Sequence, residues 1–119
     1  YVDALSKSFA LTAFVCDRDR ILAVSGAGRR DLVDRSVSQP LEKLMDSRKL
    51  YANDGDPEKA LLPCEGAQRA LLCVCPIIAA GDVTGAVGLL TEDRAAQPDA
   101  AQEKAAAVAA AFLAKQMEE

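Results

Sequence analysis

The 119-residue sequence contains no histidine and no tryptophan. Without histidine it lacks the side chain that most often acts as a general base near neutral pH and as a metal ligand. It also lacks the usual partner of a nucleophilic serine or cysteine. Aromatic residues make up only 4% of the chain, against 50% hydrophobic residues overall. The core is therefore expected to be aliphatic, built from Leu, Val, Ile and Ala. No apolar run approaches the ~20 residues that span a bilayer as a helix, so no membrane partner is expected. Positive charge is scarce as well: 14 Lys and Arg stand against 18 Asp and Glu, a net charge of −4. Phosphate neutralisation needs a positive surface, so this piece is not expected to bind nucleic acid by itself.

What is present fits one domain, residues 1–119. The sequence opens on Tyr1, inside a helical pattern, which leads to the expectation of a domain excised from a longer chain. Four cysteines occur, Cys16, Cys64, Cys73 and Cys75. An even count in a short chain is compatible with disulfides. Three of the four lie in apolar, strand-like runs, where free cysteine behaves as a small buried hydrophobe. The reading adopted is a reduced, cytoplasmic protein.

Val2, Leu5 and Phe9 form a short helical stripe. Thr12–Asp17 and Arg20–Ser25 read as strands joined by a tight turn at Arg18-Asp19, with Gly26 and Gly28 ending the second. Residues 29–35 suit a helical turn. Ser38 is placed to cap a helix that carries Pro40 and Glu42 in its first turn and runs to about residue 50. Turn formers dominate 51–60. Leu61 and Leu62 suggest a short edge strand, bounded by Pro63 and Gly66. Ala70–Ala79 and Val83–Thr91 read as two buried strands of a hairpin turning at Gly81-Asp82. Gly85 and Gly88 mark places of close approach. From Asp99 the period becomes 3.6, with Asp99 and Gln102 spaced as a capping box. Ala101, Ala105, Val108 and Phe112 form one stripe, and Ala106, Ala109, Leu113 and Met117 the adjacent one. The expected fold class is α+β, an antiparallel sheet with the terminal helices on one face and a helix and loop on the other.

Few constellations carry chemistry. Cys73 and Cys75 project from the same side of one strand. Their spacing is not that of a Cys-x-x-Cys pair, and core packing explains them better than metal or redox chemistry. Asp17-Arg18-Asp19-Arg20 reads as a solvated turn rather than a carboxylate pair. Gly26-Ala27-Gly28 lacks the lysine and third glycine of a phosphate loop. Arg48 suits a helix C-terminus. It also suits an anion clamp at a pocket between helix, loop and sheet, where Ser25, Ser36 and Ser38 would add hydrogen bonds. The candidate ligand-binding set is Ser25, Ser36, Ser38, Arg48, Cys73 and Cys75. No catalytic or metal-binding residue and no cofactor is assigned.

Several segments in order carry a resemblance. They are Cys16-Asp17-Arg18-Asp19, Ala23-Val24-Ser25-Gly26, Ser36-Val37-Ser38, Leu41-Glu42, Met45-Asp46 and Arg48. Pro76-Ile77, Gly81-Asp82, Gly85-Ala86-Val87, Ala111-Phe112-Leu113-Ala114 and Gln116-Met117-Glu118 follow. The chain resembles the C-terminal GAF domains of the stage V sporulation protein T family, transcriptional regulators of spore-forming bacteria. The pattern departs at residues 51–70 and 94–100. The resemblance implies a GAF-like fold, an upstream AbrB-like domain that binds DNA, and pairing through a bundle of the first and last helices. It implies an unidentified small-molecule effector and no catalytic residues. The interface it suggests consists of Val2, Leu5, Phe9, Ala105, Val108, Ala109, Phe112 and Leu113, giving a homodimer, with a tetramer open for the full-length protein. Two alternatives are a purely structural pairing module with a degenerate pocket and a cysteine-dependent GAF reductase.

Overall fold

The computed structural model describes residues 2–118. The chain runs α1 (Val2–Phe9), β1 (Thr12–Asp17), β2 (Ile21–Ser25), α2 (Arg29–Leu32), α3 (Gln39–Ser47), β3 (Tyr51–Ala52), β4 (Ala70–Ala79), β5 (Asp82–Thr91) and α4 (Ala100–Met117), with a 3-10 turn at Pro57–Lys59. The five strands form one antiparallel sheet in the order β2-β1-β5-β4-β3.

Local chemistry builds each hairpin. The Asp17 carboxylate accepts from the backbone N–H groups of Asp19 and Arg20, each at 2.7 Å, and so folds the β1–β2 turn on itself. Ala80 and Gly81 both adopt positive φ, 52° and 86°, in the turn that joins β4 to β5. Two such residues match the right-handed twist of the flanking strands. β5 lies at the centre of the sheet, between β1 and β4. A Cβ on Gly85 would fall on the Cys16 carbonyl oxygen, and one on Gly88 on that of Cys73. The close approach expected at these glycines is thus made by the neighbouring strands.

Each sheet face has its own core. On one face α2, α3 and the 61–67 segment cover Phe14, Cys16, Ile21, Leu71, Val74 and Leu90. On the other, α1 and α4 cover Ala13, Leu72, Cys73, Ile77, Val87 and Leu89. This is the α+β, GAF-like arrangement expected. α4 begins with a complete Asp99–Gln102 capping box and packs through Ala106, Ala109, Ala110 and Ala114. Alanine here combines the highest helix propensity with a small side chain that lets the helix lie close to the sheet.

Four local expectations change. α3 stops at Ser47, because Arg48 turns left-handed with φ 61° and its N–H caps the Met45 carbonyl. Residues 51–52 form an edge strand paired with Val74 and Cys73. Leu61 and Leu62 form no strand; instead the Leu61 carbonyl accepts from the Leu71 N–H at 2.8 Å. β2 begins at Ile21, with Arg20 in the turn before it and in an isolated bridge to Ser36. Asn53, also in the segment expected to be loop, is a buried latch. Its Nδ2 donates to the Arg94 and Ala96 carbonyls at 2.9 and 2.8 Å and holds the linker before α4 against the sheet.

Candidate functional site

The face covered by α2 and α3 is where the sequence placed an effector pocket. Its interior is occupied by the protein's own side chains. Leu41 and Met45, one turn apart on α3, are both 0% exposed and pack on the cluster of Phe14, Leu71 and Val74. α3 is fastened over this core at both ends. Ser38 accepts from the Leu41 N–H at 3.2 Å and donates to the Leu62 carbonyl at 2.6 Å. Arg48 Nη2 donates to the Gly81 carbonyl at 2.7 Å. Open space is found at the surface instead. One cleft, of about 540 Å³, runs along residues 35–40 beside Glu65. A second, of about 240 Å³, lies between α2 and residues 66–69. A third, of about 420 Å³, lies where the end of α1 meets the ends of β2 and β5.

The six ligand candidates from the sequence do not converge. Ser36 and Ser38 line the same cleft, with Ser38 already committed to capping α3. Ser25 sits at the end of β2 and hydrogen-bonds the Asp3 carboxylate, which holds that carboxyl below its ordinary value. Arg48 is spent on the β4–β5 turn. Cys73 and Cys75 belong to the opposite, α4-covered face. The residues that sequence reasoning missed are Arg35 and Arg69. Arg35 bridges the cleft rim, donating to the Asp31 carbonyl at 3.2 Å and the Glu65 carbonyl at 2.7 Å. Arg69 pairs with Glu92 at 2.7 Å and lines two of the clefts.

The cysteines are free and divide between the two cores, Cys16 and Cys64 on one side, Cys73 and Cys75 on the other. Burial pushes the Cys16 and Cys73 thiols up to about 12, and it raises Cys64 and Cys75 as well. A nucleophilic cysteine needs the reverse, an exposed thiol with a depressed value. Among the described residues, no three His, Cys, Asp or Glu side chains are grouped to hold a metal ion. None of the described helices is long and apolar enough to cross a membrane.

The terminal-helix face has a different character. Val108 is 52% exposed and Phe112 43% exposed, with Met117 exposed further along α4. Beside them, Ala105 and the α1 residues Ala4, Ser8 and Phe9 line a groove of about 300 Å³. Val2, Phe9 and Leu113 are partly buried at the edge of this face. Leu5 also lines this groove although it is largely buried, and Ala109 is packed in the core beneath the face.

Residues 1–118 match the family model described as stage V sporulation protein T C-terminal, transcription factor. The chain belongs to this family. Stage V sporulation protein T of Bacillus subtilis (strain 168) is 35% identical over 119 residues, which is 100% of this chain and 66% of that protein. The chain thus spans just under two thirds of the relative's length. The match covers every strand and helix described above and is compatible with their GAF-like arrangement. In this member of the stage V sporulation protein T family, Leu41 and Met45 fill the core beneath α3, and polar surface clefts lie around α2, Arg35 and Arg69.

Proposed function

We propose that this domain is the pairing and regulatory module of a sporulation transcription regulator. It associates as a homodimer through α1 and α4. It passes an effector-dependent state to a DNA-binding domain elsewhere in the full-length protein, in the cytoplasm and without catalysis. The observation that carries this reading is the apolar stripe Ala105, Val108 and Phe112 on α4, open beside the groove to α1. Its spacing of three and four residues presents one helical face. A second copy supplies the same stripe, and a two-fold axis would close the four helices into a bundle. α1 is then both part of the interface and the route to whatever precedes it.

Light scattering on the purified domain tests the pairing. The expected mass is twice 12.6 kDa for the unaltered chain. Val108→Glu places a charge in the interface while disturbing a half-exposed position of the monomer, so a folded monomer is expected. A monomeric parent, or a Val108→Glu variant that stays dimeric with its circular dichroism intact, rejects the assigned interface. The solid packing beneath α3 favours a second reading, a purely structural pairing module. That reading predicts dimers whose melting temperature no metabolite or nucleotide raises, whereas an effector at a hundredfold excess over Kd stabilises by about 2.7 kcal/mol.

A further inference from the structure

We propose that the cleft between α2 and residues 66–69 binds a small carboxylate- or phosphate-bearing metabolite on Arg35 and Arg69, and that binding is relayed to α1 by release of Glu92 from Arg69. The proposal rests on the regulatory reading above and names the chemistry of its effector.

The cleft is about 240 Å³, below the roughly 300–1,000 Å³ of pockets for drug-sized ligands. A ligand of this size is a fragment, not a nucleotide. The charged side chains lining it are Arg35, Arg69 and Asp31. With Glu92 paired to Arg69 the local charge is balanced, and displacing Glu92 leaves one positive charge in the cleft, against a net charge of −4 for the chain. Leu32, buried at the base, supplies an apolar contact for a short carbon skeleton.

The two guanidiniums differ in what they have left to give. Arg35 is already oriented by the Asp31 and Glu65 carbonyls, so it spans the rim as a fixed donor. The Arg69 side chain is only 16% exposed, while its partner Glu92 is 78% exposed. A largely desolvated guanidinium is therefore matched with a carboxylate that stands mostly in water. Gly28 makes this placement possible. It adopts φ +85°, and a Cβ there would lie 2.7 Å from Arg69 Nη1. A guanidinium presents its donors as a planar fork, suited to two oxygens of one anion. An anion entering the cleft competes with Glu92 for that fork.

Arg69 is also the shared wall between this cleft and the one lined by Ser6, Ala10, Thr12 and Glu92. Glu92 directly follows β5 and opens the linker to α4, and Ser6 and Ala10 belong to α1 and its C-terminal turn. Exchange of Glu92 for a ligand at Arg69 thus changes contacts at the elements leading to both terminal helices. This supplies differential contacts in two states, as a coupled site requires.

The test is an amide-resolved NMR titration of the 119-residue chain with inorganic phosphate and, separately, malonate, each against chloride at matched ionic strength. Saturable shifts at Gly28, Gly66 and Gln68, with Kd of about 1 mM or tighter, are expected for at least one probe. Saturation by phosphate alone assigns a phosphate ester and by malonate alone a carboxylate; both outcomes uphold the site. Arg69→Gln should weaken binding at least about tenfold. If that variant loses its dispersed spectrum, Arg35→Gln at the exposed rim replaces it with the same expectation. Glu92→Gln should tighten binding about two- to fivefold by removing the competitor, and the liganded shifts should extend to Ser6 and Ala10. Absence of saturation with both probes, equal shifts from chloride, or shifts that survive the arginine variants overturn the site. Unchanged affinity in Glu92→Gln overturns the relay. Light scattering on the same samples reports pairing separately, so failure here leaves the dimer reading standing or falling on its own result.

Discussion

Whether an effector could enter beneath α3 turns on how tightly that space is filled, and Leu41→Ala measures it. Leu41 is 0% exposed and sits under the first turn of α3. Removing three side-chain carbons forfeits about 2.4 kcal/mol of transfer free energy at ~0.8 kcal/mol each. The cavity left behind adds to this, and measured Leu→Ala costs span about 2.7–5 kcal/mol according to how far the site collapses. Collapse is hindered here. Ser38 holds one end of α3 to the Leu62 carbonyl, Arg48 holds the other to Gly81, and Asp46 pairs with Arg18 at 2.6 Å. The expected loss is therefore about 3–5 kcal/mol, or about 12–20 °C in Tm for a domain of this size. Urea denaturation followed by circular dichroism reads it, with an unchanged slope showing that both states keep their compactness. The new cavity should also take up an apolar probe such as benzene, which would recover part of the stability in the variant and none in the parent. A loss below about 1 kcal/mol, or benzene stabilising the parent, would refute the filled interior and reopen an internal effector pocket.

Two further outcomes follow from the sheet and its cores. Gly85→Ala drives a methyl into the Cys16 carbonyl across the strand pair, and backbone cannot step aside, so the variant should lose more than the 1–3 kcal/mol typical of overpacking or fail to fold. Gly81→Ala meets no atom within 4 Å and pays only for its φ of +86°, about 1–2 kcal/mol; thermal melts giving the two variants equal losses would contradict the register described here. Alkaline pH should destabilise the protein through the buried thiols. Cys16 and Cys73 are raised from 9.0 to about 12, so the unfolded chain releases these protons first. Their contribution is whole below pH ~9 and falls by about 1.4 kcal/mol per pH unit per thiol as pH rises towards 12. Urea midpoints at successive pH values should fall less steeply in Cys16→Ala than in the parent, and parallel slopes would count against a desolvated thiol at that position.

Elements with local signals were legible in the sequence, and those fixed by distant contacts were not. The Asp99–Gln102 capping box and the Ser38 cap use side chains that act within three residues. The β4 and β5 runs are long and almost wholly apolar because both faces of those strands are covered. By contrast, β3 is two residues set among turn formers, and only its register with Val74 and Cys73 makes it a strand. The end of α3 carries no advance mark in the sequence, because its left-handed residue is an arginine rather than the glycine or asparagine usual there. The inner face of α4 lacks a sequence mark for another reason. Alanine occurs on every side of it, so composition gives little asymmetry, and only the sheet selects Ala106, Ala109, Ala110 and Ala114 as the inner face.

The candidate site was hidden by topology. Ala13 pairs with Ser25, Thr12 with Leu90, and Ala70 with Thr91. These registers bring the beginnings of β1 and β4 and the ends of β2 and β5 to one end of the sheet. Arg69, Glu92, Gly28 and the C-terminal turn of α1 meet there, although they are scattered over most of the chain. Arg48 reaches the Gly81 carbonyl in the β4–β5 turn, at the opposite end, and this separates it from Ser25. A serine–arginine clamp spread over both ends of ten-residue strands has no common ligand. Arg69 flanks the beginning of β4, whereas Arg35 follows α2 with its carbonyl bonded to the Ile21 N–H and only its side chain reaches across to the Glu65 carbonyl, so their meeting at one cleft is visible only in the folded chain. The same register sets the α1 turn against this end of the sheet, so the Arg69–Glu92 pair stands beside the end of α1 and the start of the linker to α4.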